Sequence, residues 1–153
     1  MAEFAPAIEY VLASEGGYNP NDNGVPSNFG IRQAGAYAQI DVASLTRDEA
    51  IAIYERDFWI FGGLSSQRLA NKMLDIYVNE PPATAIKLLQ QALRWFGLHL
   101  EVDGVLGPIT LAMANAADES ALVDELKFQL VDHYRKSADP SVLDGLLRRA
   151  VKG

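Results

Sequence analysis

Apolar residues recur at helical spacing along nearly the whole chain. Phe4, Ile8, Val11 and Leu12 stand at i, i+4, i+7 and i+8, the stripe of a first amphipathic helix. Gly16-Gly17 is expected to stop it. The pattern then breaks from Tyr18 to Phe29, where Asn, Asp, Pro, Gly and Ser predominate, and predicts a long loop or a small irregular β-hairpin. A short helix is expected over Ile31 to Ile40. Thr46-Arg47-Asp48-Glu49 is a capping-box sequence, and the helix it opens carries Ile53, Tyr54 and Phe58 before Gly62-Gly63. Ser66 can cap the next helix, with Leu69, Ala70, Met73, Leu74 and Tyr77 on one face.

Pro81-Pro82 ends that helix, and Pro82 can open another, through Ile86, Leu89, Leu93 and Phe96 to Gly97. A turn follows at Asp103-Gly104. Three further helices are predicted: Pro108 to Ala114, about Ser120 to Lys136, and a last one with Asp139 as cap and Pro140 at its first position. The count is about eight helices with little strand. No stretch is rich enough in Gly, Ser or Pro to separate two domains, and no internal repeat is present. The expected fold class is mainly α, a single helical domain over residues 1–153 with a small irregular loop or β region near residues 18–30.

Composition narrows the function. With 153 residues and 49% hydrophobic positions, the chain can bury a full core. Thirteen Lys plus Arg against twenty Asp plus Glu give a net charge of -7, which argues against nucleic acid or an anionic membrane as partner. Cys is absent, so thiolate metal sites and cysteine nucleophiles are excluded. Two histidines, His99 and His133, are too few for a histidine-built metal site, and no metal or cofactor is expected. The first residues carry no basic region and lead into no apolar run, and no stretch approaches a membrane span, so neither a cleaved leader nor membrane insertion is expected.

Candidate chemistry centres on Ser14-Glu15-Gly16-Gly17-Tyr18. Glu15 at the negative end of a helix dipole would hold its proton more tightly, as a general acid requires. Taken alone, the same residues also describe a solvated glutamate before a glycine cap. In the polar loop, Asp22 and Ser27 could hold a water or a sugar hydroxyl opposite Glu15, with Asn28 beside them. A pair of carboxyls across a cleft is the minimal apparatus of glycoside hydrolysis. Good turn-formers would give the same composition without any chemistry. Of the aromatics, Tyr18 and Trp59 lie at helix ends, where a sugar ring could stack on them. Asp75 and Asn79 share one helix face one turn apart, and could reach a cleft or pair locally. Asp103-Gly104-Val105-Leu106-Gly107-Pro108 has too few carboxylates for a calcium loop.

Together, and in this order, these segments resemble glycoside hydrolase family 108, bacterial and phage N-acetylmuramidases with a lysozyme-like fold. Glu15-Gly16-Gly17-Tyr18 matches the family's opening Glu-Gly-Gly-Tyr. Asp22-Asn23-Gly24-Val25-Pro26-Ser27-Asn28-Phe29-Gly30-Ile31 is similar to its Asp-x-Gly-Gly-x-Thr-x-x-Gly-Ile segment. Ile53-Tyr54, Phe58-Trp59 and Asp75-Ile76-Tyr77-Val78-Asn79 follow in register. The second half resembles a partner segment thought to bind peptidoglycan, at Leu89 to Leu93, Asp103 to Thr110, and Gly145-Leu146-Leu147-Arg148-Arg149. Ser27 stands where the family has Thr but keeps a hydroxyl. Val25 replaces a Gly and should stiffen the loop, and Glu80-Pro81 alters the residues after Val-Asn.

The resemblance implies a catalytic half, residues 1–80, with a peptidoglycan-binding-like helical half, residues 81–153, packed on it. It implies hydrolysis of the β-1,4 bond between N-acetylmuramic acid and N-acetylglucosamine, with Glu15 as proton donor. Asp22 and Ser27 would assist, and Tyr18, Asn28, Trp59, Asp75 and Asn79 would meet the glycan. Such an enzyme, as a phage or prophage endolysin, is expected to act as a monomer. Lacking a leader, it would wait in the cytoplasm until a holin or another release route admits it to the wall. The alternative is a domain of a phage or secretion apparatus that holds peptidoglycan without cutting it.

Overall fold

The computed structural model describes residues 1–97 and 99–153, and among them seven α-helices and one small sheet. Helix α1, Phe4–Leu12, buries Ala7, Ile8 and Val11. The polar stretch then forms three antiparallel strands in the order β1, Asn19–Asp22, β2, Val25–Asn28, and β3, Ile31–Arg32. Both connections are two residues long. Asn23-Gly24 has φ of 51° and 89°, and Phe29-Gly30 has 51° and 80°, the sign pattern of a type I′ hairpin turn.

The expected helix over Ile31 to Ile40 is not there. Ile31 and Arg32 are claimed by the ladder to β2, pairing with Asn28 and Ser27. Gly35, at φ 55°, leaves room only for a single 3-10 turn, Gly35–Tyr37. The remaining helices start where their local signals place them. Helix α2, Arg47–Phe58, has the full Thr46–Glu49 capping box, and α3, Gln67–Asn79, begins on the Ser66 hydroxyl. Pro82 opens α4, Pro82–Trp95, and Pro108 opens α5, Pro108–Ala116. Asp118 caps α6, Glu119–Ser137, and Asp139 caps α7, Pro140–Ala150. Helix α2 ends at Phe58, ahead of Gly62-Gly63, which belong to a 3-10 turn.

Helix α3 is the central rod. It packs against α1, α2, α4 and α6, and α7 closes on α6. Its buried face is therefore wide: Leu69, Ala70, Met73, Leu74 and Ile76, joined by Lys72 and Asp75. One hydrophobic cluster runs from Ala2 to Ala150, so residues of both halves of the chain share it. None of the helices is long and apolar enough to cross a membrane, among the described residues.

Four tyrosines predict how this core responds to alkali. Burial, with help from Asp75, pushes Tyr10 up to about 12, and burial with the Asp57 hydrogen bond does the same for Tyr37. Burial also pushes Tyr54 and Tyr134 well up. Unfolded tyrosine ionises near about 10. The stability these groups contribute is thus complete below about pH 10 and is lost as pH climbs through 12. Lys72 works in the opposite sense, because burial lowers it to about 8 against a free value near about 10.4, so stability gains between those values. A melting curve series should hold or rise from pH 8 to about 10 and fall steeply above it. A melting temperature still climbing at pH 11 would contradict this.

Candidate functional site

Helix α1 ends at Leu12, three residues short of Glu15. Ser14 and Glu15 follow in a turn, their amides donating to the Val11 and Leu12 carbonyls at 2.9 and 3.3 Å. Glu15 therefore lies past the helix rather than in its last turn. Gly16 and Gly17 do not form a left-handed cap either, as neither has positive φ. What surrounds Glu15 instead is an arginine and a cleft.

The cleft, about 490 Å³, lies between the sheet and the C-terminal end of α3. Glu15, Gly16 and Gly17 form one wall, Asn19, Asp22, Ser27, Gly30 and Arg32 the other, and Val78 and Asn79 close it. A second hollow, about 260 Å³, meets Glu15 from the far side of the glycines and is lined by Glu9, Leu12, Phe29 and Arg47 among others. Glu15, Gly16 and Gly17 therefore border both hollows.

The carboxyl is held from one side. Arg149 on α7 donates from Nη2 to Glu15 Oε1 at 2.6 Å. The same guanidinium meets Asp75 Oδ1 through Nε at 2.9 Å and Nη2 at 2.7 Å. Lys72 Nζ stands 3.7 Å from Asp75 Oδ2 and donates to the Arg149 carbonyl at 2.8 Å. Burial alone would lower the Arg149 pKa, but Asp75 and then Glu15 outweigh it and drive it up, so the guanidinium stays charged. Glu15 Oε2 is turned toward Gly30.

Gly30 is required at that point. A Cβ added there would stand 2.5 Å from Tyr54 Oη and 2.8 Å from Glu15 Oε2, at φ 80°. Tyr54 Oη donates to the Phe29 carbonyl at 3.0 Å and so braces the turn. Gly30→Ala should therefore cost about 1–3 kcal/mol of stability and displace the Glu15 carboxyl. Urea denaturation with a hydrolysis assay on the same sample checks it; a fully stable, fully active Gly30→Ala protein would refute the close approach.

The residues expected from sequence divide into two groups. Asp22 and Ser27 line the cleft with Glu15; Asp22 stands 3.5 Å from Arg32 Nε, and Ser27 is paired with Asn19 and Arg32 across the ladder. Asn79 also lines the cleft, while its Nδ2 donates to the Asp75 carbonyl at 2.7 Å. The others lie elsewhere. Asn28 is buried and donates to the Val42 and Leu45 carbonyls, tying the sheet to the loop behind it. Asp75 is 2% exposed and serves Arg149 and Lys72, beneath the site rather than on its surface. Trp59 packs against Phe4 and Phe61, with centroids 5.6 and 6.1 Å away, and is not on the cleft lining. Tyr18 is half exposed beside the first strand and also off the lining. Arg149 and Arg32 were given no site role by sequence reasoning. The only signal for Arg149 was its place in the Gly145 to Arg149 tail.

Another hollow, about 390 Å³, is lined by Phe96, Ala112, Met113, Ala116, Ala117 and Asp118. Its walls are almost wholly apolar, whereas a sugar needs hydrogen-bond partners, and we place the chemistry at the polar cleft. Among the described residues no three His, Cys, Asp or Glu side chains gather as metal ligands.

Residues 8–80 match the glycosyl hydrolase 108 family, and residues 84–150 match the predicted peptidoglycan domain. The solved structure of Brucella abortus SagA is similar at 26% identity and a TM-score of 0.73, covering 97% of this chain and 93% of that one. No curated protein sequence gives a significant match.

Proposed function

We propose that this chain, whose residues 8–80 match the glycosyl hydrolase 108 family and residues 84–150 a predicted peptidoglycan domain, is a peptidoglycan-cleaving N-acetylmuramidase with Glu15 as general acid. The observation that carries the reading is the position of the Glu15 carboxyl, with Oε1 held by Arg149 and Oε2 toward the sheet wall of the cleft. A protonated carboxyl keeps a carbonyl lone pair for a donor while its other oxygen carries the proton. Arg149 on Oε1 thus leaves Oε2 to protonate the glycosidic oxygen. As the bond to the anomeric carbon breaks, positive charge grows on the sugar ring. Asp22, on the lining of the same cleft, would steady that charge, and Ser27 would orient the attacking water.

The glycan runs from one hollow to the other, across Glu15. The protein works as a monomer of endolysin type and reaches the wall through a holin or a dedicated release route. Incubation of purified sacculi with the protein tests the activity. New reducing sugars, unaffected by EDTA, are expected. Sacculi that retain the protein on sedimentation and release no saccharide would mark a binding domain instead.

The sheet wall makes its own prediction. Asp22→Ala and Ser27→Ala should lower kcat by about 10- to 100-fold while KM stays near the wild-type value, because the interaction strengthens in the transition state. Ser27→Thr should remain active. Rates are normalised to folded protein by calorimetry. Reduced stability with unchanged turnover per folded molecule would show that both residues only shape the hairpin.

A further inference from the structure

The Glu15 carboxyl has little of its own to fix it. It sits past the end of α1, before two glycines whose Cβ positions face open space. Among the described residues, Arg149 is the one side chain hydrogen-bonded to that carboxyl. Arg149 is itself strongly fixed. Asp75, buried on the central helix, accepts a hydrogen bond from its Nε and forms an ion pair with Nη2, and Lys72 holds its backbone carbonyl. The next turn of chain is stitched to α1 as well: Tyr10 Oη donates to the Lys152 carbonyl at 2.8 Å, and Lys152 Nζ bonds to Ser14 Oγ beside Glu15. The support that sets the acid therefore comes from helix α7, 134 residues away in sequence and inside the segment matched to the peptidoglycan domain.

We infer that Arg149 is a positioning residue for Glu15, so that the peptidoglycan-domain segment completes the catalytic centre rather than only holding the wall. The role rests on the muramidase reading: Arg149 acts through Glu15, by fixing its rotamer so that Oε2 faces the cleft. A planar guanidinium is suited to this because it bridges two carboxylates at once, with fixed angles between its donors. A lysine can pair with Asp75 but cannot present the same fork. The competing account makes Arg149 only the counterion of Asp75, with no bearing on turnover.

Two variants and a cycle decide between them. Arg149→Lys keeps the charge and should fold; its kcat on sacculi should fall about 10- to 100-fold, as for a misplaced catalytic group, with KM within about two-fold. Millimolar guanidinium should restore part of the turnover of Arg149→Ala and none of that of Glu15→Gln. An Arg149→Lys kcat equal to wild type, or a loss confined to KM, would overturn the inference. A stability cycle of Glu15→Gln, Arg149→Met and the double variant needs no activity. It should show coupling of about three-fold or more in the unfolding constant, and strict additivity would overturn the contact. Wild-type protein that releases no reducing sugar would instead sink the muramidase reading, leaving the cycle to decide whether Arg149 holds Glu15.

Discussion

Glu15→Gln should reduce hydrolysis of sacculi by about 10²- to 10⁴-fold, the range that a positioned acid contributes. The amide keeps the shape of the side chain and can still accept from Arg149 through its carbonyl oxygen, but it has no proton to give. Stability should move far less than activity. The carboxylate it removes is partly buried, and the guanidinium it leaves behind keeps Asp75 as its partner. A variant with most of its activity intact would remove Glu15 from the mechanism. The control is thermal unfolding, where a cooperative transition near the wild-type midpoint shows that only chemistry was lost.

The second large effect is structural. Asp75 is 2% exposed, and so is Lys72; between them and Arg149 two positive groups share one negative one. Asp75→Ala would leave a buried ammonium and a guanidinium without their common counterion. Removing one partner of a buried ionic cluster costs about 3–5 kcal/mol. Adding Lys72→Met to Asp75→Ala should recover part of that loss, since the stranded ammonium is then gone and Arg149 keeps Glu15 as a partner. Urea unfolding of the three proteins measures both quantities. A loss under about 1 kcal/mol in Asp75→Ala would mean that the cluster is hydrated and does not tie α3 to α7. Activity should fall alongside, as Arg149 loses the partner that aims it at Glu15.

Most helices could be read from short stretches because their starts are local chemistry. Thr46 with Glu49, Ser66, Pro82, Pro108 and Asp139-Pro140 each satisfy or remove orphan amides within one turn. The misread helix after Ile31 failed because turn chemistry outweighed apolar spacing: Phe29 and Gly30, both at positive φ, fold Ile31 back on Asn28 as a strand. Helix α1 ends at Leu12 instead of running on to Gly16-Gly17, so Glu15 stands beyond it, in the turn that follows.

The cleft was legible where its lining residues are close in sequence. Glu15, Asp22 and Ser27 fall within thirteen positions, and all three line one cleft. Arg149 was not legible as a partner, because composition alone cannot choose one among thirteen Lys and Arg residues to meet Glu15. Asp75 and Asn79 share a helix face, which left reach and local pairing open. The structure divides them, burying Asp75 under the cleft and leaving Asn79 at its edge. Trp59 lies just past a helix end, where exposure is common, but Phe4 from the other end of the chain segment covers it.

The central claim is the bond that is cut, and product chemistry tests it most directly. Sacculi digested with the wild-type protein are reduced with borohydride, hydrolysed to monosaccharides, and analysed for the two amino-sugar alcohols. The muramidase reading predicts that the alcohol of muramic acid appears in proportion to enzyme and time, with no increase in free amino groups. The alcohol of glucosamine in its place, or new amino groups without new reducing ends, would contradict it.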